Sequence, residues 1–184
     1  MNTGLIPVRY ATALLDFAID SNEQDSVYAE VKIVSQSYFQ FSKLRTVLDN
    51  PVMAKAEKRK IILLSAGGKT TKSFERFIDL LLDNNREIHL QSIALRYIDL
   101  YRKKMNIYYG KLTTAAIVDA NTEKKLMKLV ESQTGGSIEM EKIIDPGILG
   151  GFMFEVDFVR WDASVSGQLR RIKKEYIEKN NKTV

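Results

Sequence analysis

Residues 143–165 read IIDPGILGGFMFEVDFVRWDASV, and the role of the glycines in this stretch decides which fold and which chemistry to expect. Every second residue from 152 to 158 is apolar, and this period of two predicts a strand. A dinucleotide-binding loop has the pattern G-x-G-x-x-G between a strand and a helix, so that a helix N-terminus faces the phosphate. Here the spacing differs and a strand follows the glycines. We therefore predict a hairpin turn shaped by Pro146, Gly150 and Gly151, and no phosphate site.

The sequence on both sides of this turn predicts a small mixed domain. Residues 111–120 and 137–144 predict two further strands, and residues 121–136 predict a helix between them that ends at two glycines. A last helix is predicted from apolar residues at i, i+4, i+7 and i+11, namely Val165, Leu169, Ile172 and Tyr176. Asp162 precedes that helix and is expected to cap its N-terminus. Residues 107–184 are therefore expected to form a β-α-β-β-α domain.

The residues before this domain predict only helices. Pro7 suits the first turn of a helix, and apolar residues recur at helical spacing through six segments joined by short loops. The predicted helices cover approximately residues 7–20, 23–41, 43–48, 54–66, 71–85 and 87–108. We therefore expect an α+β protein with an N-terminal six-helix bundle in residues 1–106, followed by the mixed domain, with a flexible joint near residues 106–111.

Composition excludes several functional classes. With 45% hydrophobic and 28% charged residues among 184, the chain is typical of a soluble globular protein that buries its own core. No cysteine is present and His89 is the single histidine, which excludes disulfides, thiolate metal sites and multi-histidine metal sites. We therefore expect no metal and no cofactor. No apolar run approaches the roughly 20 residues of a membrane span, and the N-terminal residues lack the features of a signal or transit peptide, which favours a bacterial protein.

Two motifs are relevant to enzyme chemistry. Residues 68–70 read GKT, the end of a phosphate-binding P-loop, but Leu63 occupies the place of the required first glycine and a predicted helix precedes the motif. His89 could act as a base with Asp83 or Glu87 as its orienting carboxylate, which leaves an enzyme as one hypothesis. No nucleophile motif such as G-x-S-x-G accompanies it, so a surface position on the sixth helix is the preferred interpretation.

The net charge of +5 leaves a nucleic-acid-binding protein as an alternative. Basic residues cluster at positions 55–60, 102–104 and 170–174, on the polar faces of predicted amphipathic helices with acidic residues interleaved. The aromatic residues lie on the apolar stripes, which is typical of core packing rather than of a base-stacking platform. Solvated helix faces are therefore the preferred interpretation, and no nucleic-acid partner is expected.

Several stretches resemble one known family, in the order in which that family has them. They are RYATALLDFA (9–18), LDNPVMAKAEKRKII (48–62), FIDLLLDNNREIHLQSIALRYIDLY (77–101), DPGILGGFMFEV (145–156) and WDASVSGQLRRI (161–172). The family is the delta subunit of bacterial F-type ATP synthase, whose mitochondrial counterpart is the oligomycin-sensitivity-conferring protein (OSCP). Gly147, Leu149 and Trp161 depart from its usual pattern.

The resemblance implies a non-catalytic connector in the peripheral stalk, the stator that stops the catalytic hexamer from turning with the rotor during proton-driven ATP synthesis. The N-terminal bundle would bind the N-terminal helices of the alpha subunits, and the C-terminal domain would bind the C-termini of the b subunits. The subunit would lie on the cytoplasmic side of the bacterial inner membrane, attached peripherally through the complex.

The resemblance also implies that an alpha-subunit helix lies in a groove between the first and fifth helices. An amphipathic helix binds such a groove by burying its apolar anchors. The candidate contacts are Tyr10, Ala13, Leu14 and Phe17 on the first helix, and Phe74 and Ile78 on the fifth. The small Ala13 would allow close approach of the partner, whereas core packing is the alternative for Leu14, Phe17 and Phe74.

Overall fold

A computed structural model describes residues 4–117, 137–156 and 159–181, with side chains described up to residue 177. The chain divides into two compact units, Met1–Lys104 and Met105–Val184. The sequence predicts this boundary between residues 106 and 107, two residues after the boundary in the structure. Helices make up the first unit and a four-stranded sheet lies in the second, which confirms the predicted combination of helix and sheet.

The described part of the first unit consists of α-helices joined by short loops. Their bounds are α1 (Leu5–Asp20), α2 (Gln24–Gln40), α3 (Lys43–Leu48), α4 (Lys55–Ser65), α5 (Lys72–Asp83) and α6 (Leu90–Lys104). A 3-10 turn, Glu87–His89, precedes α6. α1, α2 and α6 pack against one another, and α5 packs against α1 and α4. This packing buries large side chains almost completely, among them Leu48, Ile62, Phe74, Ile78 and Tyr97.

The last helix of the first unit is shorter than the sequence predicts. α6 ends at Lys104 rather than near residue 108, because Asn106 adopts a left-handed conformation with a φ of 54°. Asparagine accepts this conformation more readily than most residues, and it commonly follows the end of a helix. The predicted flexible joint at residues 106–111 is also wrong, because a strand begins at Ile107.

The second unit contains a four-stranded sheet with the strand order β2-β1-β3-β4. The strands are β1 (Ile107–Thr114), β2 (Ser137–Ile144), β3 (Phe152–Val156) and β4 (Val159–Asp162). β1 pairs in parallel with β2 and antiparallel with β3, and β3 pairs antiparallel with β4. The helix α7 (Val165–Asn181) follows β4. The helix predicted in residues 121–136 lies outside the described residues.

The predicted hairpin around the glycines is wrong. β2 and β3 follow each other in sequence, but β1 lies between them in the sheet. The connecting turn therefore passes the end of β1, where Asp145 N donates a hydrogen bond to Thr114 O at 2.8 Å. Local periodicity does not report which strand becomes the neighbour of which. The prediction from the sequence also omits β4 and places the start of β1 at residue 111 instead of 107.

A small apolar core lies on one face of the sheet. It consists of Leu112, Ile138, Phe154 and Val156, with Tyr108, Met140 and Phe152 packed against it. The register places all of these residues on the same face, because side chains alternate along each strand. Gly110 permits the close packing, since a Cβ there would lie 2.9 Å from Cζ of Phe154.

Candidate functional site

A partly exposed apolar surface lies where α1 meets α5. On α1, the half-buried Tyr10 and the 38% exposed Phe17 flank the small, exposed Ala13. The rings of Tyr10 and Phe77 meet edge to face with their centroids 6.4 Å apart, which joins α1 to α5. Leu80 is 50% exposed and follows Phe77 by three residues, so it lies on the same side of α5. We call these five residues the α1/α5 surface.

Three of the six candidate contact residues lie in the core of the first unit. Leu14, Phe74 and Ile78 are buried, so they support the two helices from inside. Core packing was the alternative interpretation for Leu14, Phe17 and Phe74. The structure agrees with it for Leu14 and Phe74, whereas Phe17 lies at the surface. Leu80 is not among the six predicted contact residues, although three leucines in a row cannot all face the core of a helix that is buried on one side.

Two carboxylates, that of Glu23 just before α2 and that of Glu30 within α2, hold the N-terminus of α5. Glu30 accepts hydrogen bonds from Thr71 N at 2.6 Å and from Thr71 Oγ1 at 3.0 Å, and Glu23 accepts one from Ser73 N at 3.0 Å. Thr71 Oγ1 also accepts a hydrogen bond from Phe74 N and so caps the helix. Negative charge is favourable at this end, where unpaired N–H groups create a partial positive charge. These contacts fix one side of the α1/α5 surface to α2.

The two carboxyl groups differ in their pKa values because their surroundings differ. Burial raises the pKa of Glu30, and the hydrogen bonds from Thr71 offset only part of that rise. Hydrogen bonds from Ser73 lower the pKa of Glu23. The GKT motif at residues 68–70 lies just before the N-terminus of α5. The N–H groups of Thr71 and Ser73 there already donate to the Glu30 and Glu23 carboxylates, so they are not free to bind a phosphate.

His89 lies in a depression of about 470 Å³ between α1 and α6. Glu87, one of the two carboxylates considered as its orienting partner, accepts a hydrogen bond from Lys58 Nζ at 2.7 Å. Lys58 and Glu87 are both buried, so Glu87 belongs to a structural ion pair of the first unit. Among the residues that the structure describes, no group of three or more His, Asp and Glu side chains is arranged to hold a metal ion.

The second unit presents a longer apolar surface along α7. The four apolar residues at helical spacing on this helix are between 42% and 68% exposed, and Leu149 in the preceding turn is 67% exposed. We call this set the α7 stripe, and its members are Leu149, Val165, Leu169, Ile172 and Tyr176. The sequence shows the spacing of these residues, but only the structure shows that they face solvent.

The N-terminal cap of α7 is Ser164, not the predicted Asp162. Ser164 Oγ accepts a hydrogen bond from Gly167 N at 3.0 Å, which is the bond that a capping residue makes. Asp162 accepts hydrogen bonds from the Ser164 hydroxyl and from Ser164 N, and these bonds lower the pKa of Asp162. Asp162 therefore positions the capping serine.

The glycine turn determines where α7 begins. Pro146 opens a 3-10 turn after β2. Gly151 has a φ of +73°, and a Cβ at this position would lie 2.3 Å from the carbonyl oxygen of Ala163, so only glycine fits. Gly150 O accepts a hydrogen bond from Val165 N at 3.0 Å. Pro146, Gly150 and Gly151, the predicted structural residues, thus form a turn between β2 and β3 that packs against the start of α7, instead of a hairpin.

The fold and these surfaces define a two-unit α+β protein that exposes apolar helix faces, the kind of surface that binds partner helices. Residues 6–176 match the ATP synthase delta (OSCP) subunit family. The chain belongs to this family, whose members are structural components of the peripheral stalk of membrane-associated ATP synthases.

Individual relatives agree with this assignment. The ATP synthase subunit delta of Phocaeicola vulgatus is 42% identical and that of Bacteroides thetaiotaomicron is 40% identical, both over the full length of the two chains. A chain in a cryo-EM structure of the Toxoplasma gondii mitochondrial ATP synthase hexamer has the same fold, with a TM-score of 0.66 and 19% identity over 93% of this chain and 97% of that chain. The family predicted from the sequence is confirmed, and these comparisons do not support the nucleic-acid-binding alternative.

Proposed function

We propose that this chain is a non-catalytic stator subunit that joins the alpha/beta catalytic hexamer to the b subunits and resists rotor torque. Membership of the delta (OSCP) family supports its place in the peripheral stalk. In the described part of the chain, each unit also carries an exposed apolar helix surface, as a connector between two partners requires. Torque passes through the contacts between subunits, so the binding surfaces carry this function and a reaction centre is not needed.

The proposed architecture follows the predicted division of the chain. Residues 1–106 act as a six-helix bundle on the hexamer, and residues 107–184, which contain the four-stranded sheet and α7, act as the domain that binds the b subunits. The subunit lies at the cytoplasmic side of a bacterial inner membrane and is attached through its partners. None of the helices in the described ranges is both long and apolar enough to cross a membrane.

The N-terminal helix of an alpha subunit is the proposed occupant of the α1/α5 surface. The observation that carries this proposal is the row of Tyr10, Ala13 and Phe17, which remains at the surface beside Phe77 and Leu80. The small Ala13 between two aromatic rings leaves a notch into which a partner helix can insert a large apolar side chain. The hydrogen bonds that Glu23 and Glu30 accept from the N-terminus of α5 hold this helix in place before the partner binds, which lowers the entropy lost on binding.

The test is the affinity of the full chain for a peptide from the alpha-subunit N-terminus. Ala13→Asp places a charge inside the apolar contact, and we expect the affinity to fall by about tenfold or more. Thr12→Asp is the matched control, because it adds the same carboxylate to an exposed position of α1 that points away from α5. We expect the control to bind within about threefold of the wild type. Equal, tight binding by the wild type and Ala13→Asp would remove this assignment.

A further inference from the structure

We infer that the corner between α2 and α3 is a second docking surface of the first unit, and that its occupant is an acidic segment of the catalytic hexamer that covers two phenylalanine side chains. We call this surface the α2/α3 corner, and its residues are Phe39, Phe41, Lys43 and Arg45. The inference rests on the proposed function, in which the first unit binds the hexamer. It adds a surface that shares no residue with the α1/α5 surface, together with the chemistry of the partner.

Two phenylalanines of the corner face solvent. Phe39, in the last turn of α2, is 75% exposed, and Phe41, which directly follows that helix, is 62% exposed. Of the aromatic side chains described in the first unit, Phe39 is the most exposed. Burial of such side chains against a partner removes apolar surface from water, and aromatic residues are enriched in protein interfaces. The pair therefore provides the apolar centre of a docking surface.

Hydrogen bonds fix the backbone of the corner on both sides of Phe41. Phe41 N donates to Ser37 O at 2.8 Å, and Phe41 O accepts a hydrogen bond from Leu44 N at 2.9 Å. Ser37 Oγ donates to Ser65 O at 2.9 Å, which ties the end of α2 to the end of α4. The exposed phenylalanines thus belong to a bonded turn between two packed helices. A partner that binds them has little backbone to order, which favours affinity.

The corner lies at the end of the first unit opposite to the C-terminus of α6. Near that C-terminus, Tyr101 OH donates a hydrogen bond at 2.6 Å to Asp25 in the first turn of α2. The rise of the helix places Phe39 about 21 Å along α2 from Asp25. The chain leaves the first unit after Lys104, so the corner is remote from that point. We therefore assign to it the partner proposed for the first unit, the hexamer.

The charges around the corner identify the chemistry of the occupant. Residues 31–48 contain three basic residues, Lys32, Lys43 and Arg45, and no acidic residue. Lys43 and Arg45 are exposed, and the next acid is Asp49, one turn after Arg45. Acidic groups beside an apolar pocket on the partner complement this surface. A second copy of the chain would bring the basic residues of two corners together, which like-charge repulsion disfavours.

The probe for this inference is the alpha/beta hexamer of the same complex, titrated with the full-length chain. Phe39→Ser removes one of the two aromatic side chains, and we expect the affinity to fall by about tenfold or more. Leu95→Ser is the matched control, because it replaces an exposed apolar side chain on α6 outside the corner. We expect the control to bind within about threefold of the wild type. Lys43→Glu is expected to weaken binding and to reduce the dependence of affinity on salt.

Two further measurements separate the corner from the α1/α5 surface and from a structural role. Phe39→Ser should bind the alpha-subunit peptide as tightly as the wild type, because the change lies outside the α1/α5 surface. The thermal midpoint of the isolated chain should stay unchanged, since an exposed side chain contributes little to stability. A loss of peptide affinity would mean that the corner acts through the α1/α5 surface, and a lowered midpoint would mean that Phe39 serves the fold. Either result would overturn the inference.

The outcomes distinguish this inference from the proposed function. If the wild type and Phe39→Ser bind the hexamer equally, the inference is wrong while the stator function stands. If the wild type binds neither the hexamer nor the alpha-subunit peptide, the inference and the proposed role of the first unit both fail. If sedimentation shows a wild-type dimer that Phe39→Ser abolishes, the occupant is a second copy and the inference is overturned. Binding of a single-stranded oligonucleotide that Phe39→Ser abolishes would overturn it in favour of nucleic acid.

Discussion

The two units differ in how much of their apolar surface they bury by themselves. In the first unit, α1, α2, α5 and α6 enclose large side chains such as those of Ile78 and Tyr97. In the second unit, the described core on the sheet is small, and α7 leaves its apolar stripe in solvent. An amphipathic helix is stabilised mainly by the burial of its apolar face. The described helices of the first unit are therefore held by packing against one another, whereas α7 keeps most of its apolar face exposed.

The polar contacts of the two units differ in the same way. Hydrogen bonds in the first unit join residues far apart in sequence, as in the buried bond between Lys58 and Glu87 and the partly buried bond between Glu30 and Thr71. At the start of α7, Asp162 bonds to a serine two residues away, and Gly150 O accepts a hydrogen bond from Val165 N. The bonds of the first unit hold its helices to one another, whereas these bonds hold only the first turn of α7 to residues that precede it.

The largest expected effect is on the buried ion pair of the first unit. Lys58→Ala leaves the Glu87 carboxylate buried without its cation, and we expect the free energy of unfolding to fall by about 3–5 kcal/mol. Urea denaturation followed by far-UV circular dichroism measures the change in this helical unit. The single tryptophan, Trp161, stacks on Phe154 in the second unit, and its fluorescence provides the control, which should shift little. The double variant Lys58→Met with Glu87→Leu should recover most of the loss, and failure to do so would argue against a charge effect.

A pair of isoleucine substitutions tests the comparison directly. Ile78→Ala opens a cavity in the core of the first unit, and we expect a loss of about 2–5 kcal/mol. Ile172→Ala changes a side chain that is 62% exposed, and we expect a loss below about 0.5 kcal/mol in the isolated chain. Denaturant midpoints of the two variants provide the measurement. A large loss for Ile172→Ala would show that α7 already packs against its own unit, and the difference between the units would disappear.

The smallest expected effect is a change in the pH dependence of stability. The pKa of Glu30 is raised above 4.5 in the folded chain, so the folded state takes up this proton at a higher pH than the unfolded state. Ionisation of Glu30 therefore weakens the fold as the pH rises through the raised pKa, and Glu30→Gln should reduce the decline in stability over that range. The pKa of Glu23 is lowered, so the stability it contributes is present above 4.5 and is lost as the pH falls through its folded value.

Unfolding curves at several pH values compare the two glutamine variants. Glu23→Gln should reduce the acid-induced loss of stability, whereas Glu30→Gln should act at higher pH and with the opposite sign. If both variants change the pH profile in the same direction, burial does not separate the two carboxylates as the structure indicates.

Local patterns in the sequence predict the elements of this protein well and their neighbours poorly. The helical period locates α1 and α5, and the period of two locates β3, because each depends on residues close together in the chain. The candidate site shows the limit of this reasoning. Leu14 and Phe17 lie on the same predicted stripe, yet the structure buries one and exposes the other, because α5 and α6 cover α1 from particular directions.

The sequence by itself determined that this is an α+β chain without cysteine, and the order of its motifs was enough to assign the delta (OSCP) family. Only the tertiary structure decided that β1 lies between β2 and β3, that Ser164 caps α7, and that the α7 stripe stays in solvent. The physical reason is that a residue pattern reports which face of an element is apolar. What covers that face depends on contacts between residues distant in the chain.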